Sequence, residues 1–478
     1  MTFLYFLAPI VALVAYIGYN VITDPLKGIP GPLLARWSRL WLVWHSRKGD
    51  MPTVMIDLHR KYGPLVRTAP DEVSISDLAA VKTIYTPGTR FKKSEFYRPF
   101  NNDREFDLFG GRDERLHAQQ RRLVARAYTM DSVRDNEDGV DSIIRIFLKC
   151  IDNHAGKKMD MANWLQLFAF DVIGEVTFSK KFGFLEAGKD NGSFAHINAA
   201  LKSASWIGMV PQLYAINKLI QPYVGVLVDS DRSFGPMMNY AMSAIRDSQG
   251  EKNILGKLRA VHKEKPNEFT FPNMANMAVS NLFAGSDTTA ISLRAIFYHL
   301  LTNPEHLQKL LHEIDTFAAA GKLSDPVQYS EAEKMPYLQA VIYEGIRLHP
   351  AVGMNLPRTV PEGGMALAGV FFPENYTVGA NPWVMHRDKE VYGDDVDAFR
   401  PERWLGEGSS DMLRYYMAFG MGARGCIGRN IAWLEISKLV PTLLRRYEME
   451  IVDTKWEYDC HFFVVQRELN MKLTPRVR

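Results

Sequence analysis

Phe419-Gly420-Met421-Gly422-Ala423-Arg424-Gly425-Cys426-Ile427-Gly428 is the stretch on which the reading of this chain turns. A cysteine closes a glycine-rich loop, and an apolar run of helical period follows over residues 431–444. The free N–H groups and dipole of a helix N-terminus favour a thiolate over a thiol. Glycines let the backbone come close to a flat group, and Arg424 can pair with a carboxylate on such a group. A haem held by a cysteine thiolate has these needs, and the thiolate's electron donation favours O–O cleavage. Two other readings compete. Gly420-x-Gly422-x-x-Gly425 matches a dinucleotide fingerprint, with Glu448 or Glu450 as its acidic partner, about 20 residues on; too little chain follows Gly425 for the rest of a two-halved nucleotide domain. A free cysteine buried in a turn is the plainer alternative, and it is the expected state of Cys150 and Cys460.

Upstream of this loop the pattern is helical. Apolar residues recur at three- and four-residue spacing over 140–150, 164–178, 275–301, 305–319 and 337–348. The helix expected over 273–301 is about 43 Å long and stops at Asn303-Pro304. Strand-like sequence broken by glycine and proline lies in 65–75 and 358–382. The expected fold is mainly α with small β-sheets, in one soluble domain.

The long helix carries Ala284-Gly285-Ser286-Asp287-Thr288-Thr289. Ala284, Asp287 and Thr288 stand at i, i+3 and i+4, on one face. An acid beside a hydroxyl in an otherwise apolar helix is costly unless partnered or used, so this is either chemistry or a locally satisfied polar kink. Gly285 is a weak point at which the helix could widen. Glu344-x-x-Arg347 pairs a carboxylate with a guanidinium inside an apolar helix, and Arg403 of Pro401-Glu402-Arg403-Trp404 can join them in a scaffold network. Other matches fail on context. Gly183-x-x-x-x-Gly188-Lys189 lacks the Ser or Thr of a phosphate-binding loop. His386-Arg387-Asp388 lacks the rest of a kinase catalytic loop, and reads as ordinary loop sequence.

Charge and composition narrow the class. Lys and Arg number 57 against 54 Asp and Glu, a net +3 that is too balanced for a nucleic-acid binder. Three cysteines without a CxxC pair exclude a disulfide framework and a structural zinc site. Residues 2–22 have no charged side chain and span about 31 Å as a helix, the thickness of a bilayer's hydrocarbon core. The next basic residues, Lys27, Arg36, Arg39, Arg47 and Lys48, all follow the span, which places the large domain in the cytosol. The expected organisation is an anchor over 1–23, a proline-rich hinge over 24–35 and a catalytic domain over 36–478.

Together, the cysteine loop, the Ala-Gly-x-Asp-Thr-Thr helix, the Glu-x-x-Arg pair and the Pro-Glu-Arg segment resemble the four signatures of the cytochrome P450 family, in that family's order. The resemblance covers essentially the whole chain. Met385 through Trp404 and Leu356 through Gly364 look most like fungal microsomal members of the pisatin-demethylase and benzoate-hydroxylase kind. It implies a cytochrome P450 fold behind a single transmembrane helix in the endoplasmic reticulum membrane, with haem b (iron protoporphyrin IX) as cofactor. Cys426 then corresponds to the axial ligand of the haem iron, and Asp287 and Thr288 to the residues that guide protons during dioxygen cleavage. Arg424 corresponds to a haem-propionate partner. His117-x-x-x-Arg121 stands where many members carry Trp-x-x-x-Arg, so His117 and Arg121 are further propionate candidates. Glu344, Arg347 and Arg403 match the structural triad, with Trp404 in place of the usual Phe.

The implied activity is insertion of one oxygen atom from dioxygen into a lipophilic small molecule, in fungal secondary metabolism. Electrons come from NADPH through a membrane-bound flavoprotein reductase, for which Arg122 and Arg126 could form a basic docking surface. An oxygen-independent haem-thiolate isomerase or dehydratase, and a non-enzymatic haem-binding protein, are the alternatives; neither needs the Asp287-Thr288 pair. A substrate pocket is expected from 94–109, 200–210, 280–284, 352–356 and 462–465, mostly apolar, with Asn101, Asn281 and Asn355 as polar exceptions.

Overall fold

The computed structural model describes residues 18, 23–100, 106–214, 216, 219, 235–248 and 250–476. Every helix expected from periodicity is present: Glu137–Asp152, Met161–Phe178, Phe271–Thr302, Pro304–Ala319 and Pro336–Leu348. Their ends are set by caps that apolar periodicity does not register. Asp160 accepts from the Ala162 and Asn163 amides at 3.0 and 3.4 Å and starts the second of these helices. Thr270 caps the long helix through the Asn273 amide, and Pro272 occupies its first turn.

The long helix Phe271–Thr302 is the axis of the molecule. It packs against Met161–Phe178 along its length, and against Pro336–Leu348 and the helix Arg429–Arg446 that follows the cysteine loop. Glycine makes two of these crossings close: a Cβ on Gly285 would stand 2.8 Å from Ile173 Cδ1, and one on Gly345 2.7 Å from Ile296 Cγ1. The helix runs unbroken through Gly285. This glycine therefore serves a helix contact, and no local widening is seen.

The β component is small. A five-stranded sheet has the order Leu65–Ala69, Glu72–Ile75, Thr377–Gly379, Arg358–Thr359, Lys92–Lys93. Its last pair sets Lys93 directly opposite Arg358. A separate hairpin joins Tyr458–His461 to Phe463–Gln466 through Phe462 alone, held at φ 80°. Phe462 packs there against the rings of Phe96, Phe100 and Phe109, stacked on the first, tilted to the second and edge-on to the third.

The expected anchor falls almost entirely outside the described residues, and among the described residues no helix is long and apolar enough to cross a membrane. The proline-rich stretch that follows is packed, not loose. Leu26 and Ile29 are buried, Asp24 pairs with Arg67, and the Arg67 amide donates to Pro30 O at 2.8 Å.

Candidate active site

The cysteine loop is built by its own backbone. The Cys426 amide donates to Phe419 O at 2.7 Å, the Gly425 amide to Gly422 O at 3.1 Å and the Gly420 amide to Met417 O at 2.9 Å. Gly420 and Gly422 take φ of 69° and 62°, which L side chains resist. The loop presses on the end of the helix Leu78–Tyr85, where a Cβ on Gly422 would meet Tyr85 O at 1.8 Å. Helix Arg429–Arg446 starts just past the sulfur. Cys426 is accessible at its surface, yet enough protein surrounds it to penalise a charge on its sulfur. Burial pushes the thiol up from its ordinary value, while the Gly428 and Arg429 amides and the Arg121 and Arg429 guanidiniums pull towards thiolate.

Around this loop the structure gathers an excess of positive charge. Helix Glu114–Val124 carries His117 and Arg121, and the Arg121 guanidinium acts on the Cys426 sulfur. His117 is buried; burial, then Arg424, Arg121, Lys93 and Arg358, push its imidazole down to about 3, so it is neutral. Lys93 is buried at 5% exposure and its ammonium is driven well below the usual range, first by burial and then by Arg358 and Arg424. Its partial counterweights are Asp107 and Glu114. Arg424 donates from Nε to Glu114 Oε2 at 2.9 Å and from Nη1 to Gly111 O at 2.7 Å. Its Nη2 lies 2.8 Å from Glu114 Oε1, off the hydrogen-bond axis, and so keeps an N–H without an acceptor.

Arg424, Arg121, His117 and Cys426, picked from sequence, are thus brought together. Lys93 and Arg358 were missed, because only the strand pairing of Lys92–Lys93 with Arg358–Thr359 joins them to the cluster. Like charges set opposite one another and buried are destabilising, a cost that an anionic ligand would remove. A flat group with a sulfur-seeking metal and two carboxylates fits this donor set, so the residues present suit a haem.

On the long helix, Ala284 is exposed and Thr288 half-buried, and Thr288 Oγ1 donates to Ala284 O at 2.8 Å. Asp287 turns away from them. It is buried and its Oδ1 accepts from Gln166 Nε2 at 2.7 Å. The acid and the alcohol therefore adjoin in sequence but have separate partners. Of the polar pocket candidates, Asn281 accepts from Tyr128 Oη at 2.9 Å and Asn355 from Ser74 Oγ at 3.4 Å, both structural contacts. Asn101 lies outside the described residues.

Behind the loop, Glu344, Arg347 and Arg403 form a buried network. Glu344 accepts from Arg347 Nε and Nη2, each at 2.8 Å, and from Arg403 Nε, the Arg400 amide and Trp404 Nε1, each at 2.9 Å. Burial alone would raise the Glu344 carboxyl; the two arginines and the Arg400 amide hold it below its ordinary value. The tryptophan in place of phenylalanine thus supplies a donor. His386 links this network to the loop. Its Nε2 accepts from the Met417 amide at 2.8 Å, which leaves Nδ1–H to donate to Arg347 O at 2.9 Å.

A sequence model of the cytochrome P450 family matches residues 30–475. The cytochrome P450 monooxygenase hepC of Aspergillus oryzae is 37% identical over 458 residues, covering 91% of this chain and 90% of that one. Pisatin demethylase of Fusarium vanettenii is 35% identical over 472 residues, 96% of this chain and 92% of that protein. The cytochrome P450 monooxygenase gsfF of Penicillium aethiopicum is 35% identical over 504 residues, with both chains fully covered. With its cysteine at a helix N-terminus among arginines, and with these matches along its length, the chain belongs to the cytochrome P450 family.

Proposed function

We propose that this chain is a haem-thiolate monooxygenase that places one atom of dioxygen in a lipophilic small molecule and the other in water. The observation that carries the reading is the Cys426 sulfur at a helix N-terminus, where the Gly428 and Arg429 amides and Arg121 offset part of the burial that raises its thiol, beside a cluster of basic side chains with too few carboxylates. Cys426 would hold the haem iron, and Arg424, Arg121, Lys93 and Arg358 would take the haem carboxylates, with neutral His117 as a further N–H donor. When bound, the haem supplies the one-electron and dioxygen chemistry that side chains lack.

The rest falls to the chain's own groups. Thr288 offers a hydroxyl on the accessible face of its turn, able to pass a proton to a molecule beside Ala284. Asp287 holds a proton at its carboxyl. Glu344, Arg347 and Arg403 keep the cysteine loop in place. An isomerase or a haem carrier has no use for the acid and the alcohol.

Electrons would reach the site from NADPH through a flavoprotein reductase docked on a basic face that includes the exposed Arg122 and Arg126. The anchor over 1–23, the hinge over 24–35 and the cytosolic domain over 36–478 would place the enzyme on the endoplasmic reticulum membrane. An exposed apolar ridge, Leu33, Leu34, Trp37, Leu40 and Trp44, supports this attachment. The aromatic cluster around Phe462 supports a flat apolar substrate, and the fungal relatives support a place in secondary metabolism.

The test is turnover under isotopically labelled dioxygen with NADPH and reductase, on a compound drawn from a panel of lipophilic aromatics by its binding spectrum. Product carrying one labelled oxygen is expected, and Thr288→Ala should divert electrons into hydrogen peroxide. Product without label, or a Thr288→Ala variant that couples like wild type, would contradict the reading.

A further inference from the structure

Glu344, Arg347 and Arg403 hold one another and their neighbours, yet among the described residues none of their side-chain hydrogen bonds reaches 417–428. Any grip of the network on the cysteine loop must pass through another residue. His386, fully buried, stands between the two. Arg347 holds it twice: its Nη1 donates to His386 O at 2.8 Å, and its own carbonyl accepts from His386 Nδ1–H at 2.9 Å. The ring lies nearly flat on Tyr416, with centroids 5.0 Å apart at 14°, which fixes its plane. On the far side Nε2 accepts from the Met417 amide at 2.8 Å. Met417 is buried and starts the turn that leads into the loop. Its carbonyl accepts from the Gly420 amide at 2.9 Å, and Phe419 O, inside the same turn, accepts from the Cys426 amide at 2.7 Å. One imidazole therefore stands between a buried guanidinium and the backbone that presents the sulfur. It does so as a neutral ring: burial, with the charges of Arg347 and Arg387, holds it at about 3, so Nε2 is bare and can accept.

We propose that His386 is a positioning residue for Cys426, and that its hydrogen bond to the Met417 amide decides whether the sulfur is presented as thiolate or as thiol. The proposal rests on the reading of Cys426 as the haem-iron ligand. Without an acceptor at Nε2, the Met417 amide is a buried donor with no partner, a state that folded proteins avoid. The turn must then open towards another acceptor, which moves Phe419 O and with it the Cys426 amide. Burial already raises the Cys426 thiol, and the Gly428 and Arg429 amides offset part of that rise. A sulfur drawn away from these amides loses the offset and keeps its proton. A second link, from Tyr416 Oη to Tyr343 O at 3.2 Å, joins helix Pro336–Leu348 to the same segment. It ends on a side chain and leaves the backbone of the turn unheld.

Carbon-monoxide difference spectra and amide hydrogen exchange of the holoenzyme test this. The readouts are the ratio of the thiolate band to the less red-shifted thiol band, and the exchange of the Met417, Gly420 and Cys426 amides. His386→Gln puts a carbonyl oxygen near the place of Nε2 and should keep the thiolate band. His386→Asn ends near the place of Nδ1, so it can still donate to Arg347 O but falls short of Met417; it should behave like His386→Leu. In both, the three amides should exchange about tenfold faster or more, and the thiol band should become the larger. Tyr416→Phe breaks the second link and should leave the band and the Cys426 amide as in wild type. A wild-type band and Cys426 exchange in His386→Asn would overturn the proposal, whether or not His386→Leu folds. So would a thiol band as large in His386→Gln or Tyr416→Phe as in His386→Asn, because the imidazole would then matter only as packing. Should the wild type give no thiolate band, the failure would lie with Cys426 as the ligand, and exchange of its amide would still decide whether His386 governs the loop.

Discussion

Two glycines in the cysteine loop separate conformational strain from steric conflict. Both have positive φ, 69° at Gly420 and 62° at Gly422, so alanine at either carries the left-handed penalty of about 1–2 kcal/mol. Their surroundings differ. A Cβ at Gly420 has its nearest neighbour, Gly425 Cα, at 3.7 Å, an ordinary contact; one at Gly422 would sit 1.8 Å from Tyr85 O. That oxygen belongs to backbone at the end of a helix and cannot rotate away, so loop and helix must part by roughly 1.5 Å. Overpacking of this kind adds about 1–3 kcal/mol, occasionally more. Gly420→Ala should therefore lose about 1–2 kcal/mol, and Gly422→Ala about 2–5 kcal/mol. Because the shift falls four residues before Cys426, haem retention should drop in step. Denaturant unfolding and the haem-to-protein ratio read both quantities. Equal losses in the two variants, or a Gly422→Ala protein as stable as wild type, would refute the steric argument.

Trp404→Phe removes one donor to a buried carboxylate and should cost about 1.5–3 kcal/mol in unfolding; a change within error would mean that Glu344 does not need the indole. Lys93→Met should stabilise the haem-free protein by relieving buried repulsion from Arg358 and Arg424, yet weaken haem retention. Parallel changes in the two would contradict the carboxylate site. His386 is driven by burial to about 3, so below pH 6.5 the unfolded chain takes up the proton first. Its contribution, complete above pH 6.5, is lost towards pH 3 at about 1.4 kcal/mol per unit. His386→Gln should lower the slope of stability against pH by about one proton between pH 6.5 and 4; an unchanged slope counts against a neutral buried imidazole.

What could be read from the sequence was what is local. The cysteine loop, the acid–alcohol turn and the Glu-x-x-Arg pair each lie within a few residues, and helical period exposed the elements that carry them. What escaped depends on pairing across the chain. Lys93 meets Arg358 only through a two-residue strand pair, far too short to leave a period. Gln166 is one polar residue on an apolar helix, unremarkable until the long helix brings Asp287 to it. His386 looked like loop sequence because its role is to join two backbone groups, Arg347 O and the Met417 amide, that no motif records. Gly285 had the opposite fate: its position beside the acid drew a functional reading, while Ile173 explains it by packing.

The most direct measurement is the carbon-monoxide difference spectrum of dithionite-reduced microsomes containing wild type or Cys426→Ala. A strongly red-shifted Soret band in wild type that is absent from the variant is the predicted result. A well-folded wild-type protein, supplied with haem, that gives no such band would contradict thiolate ligation by Cys426 and the monooxygenase chemistry that depends on it.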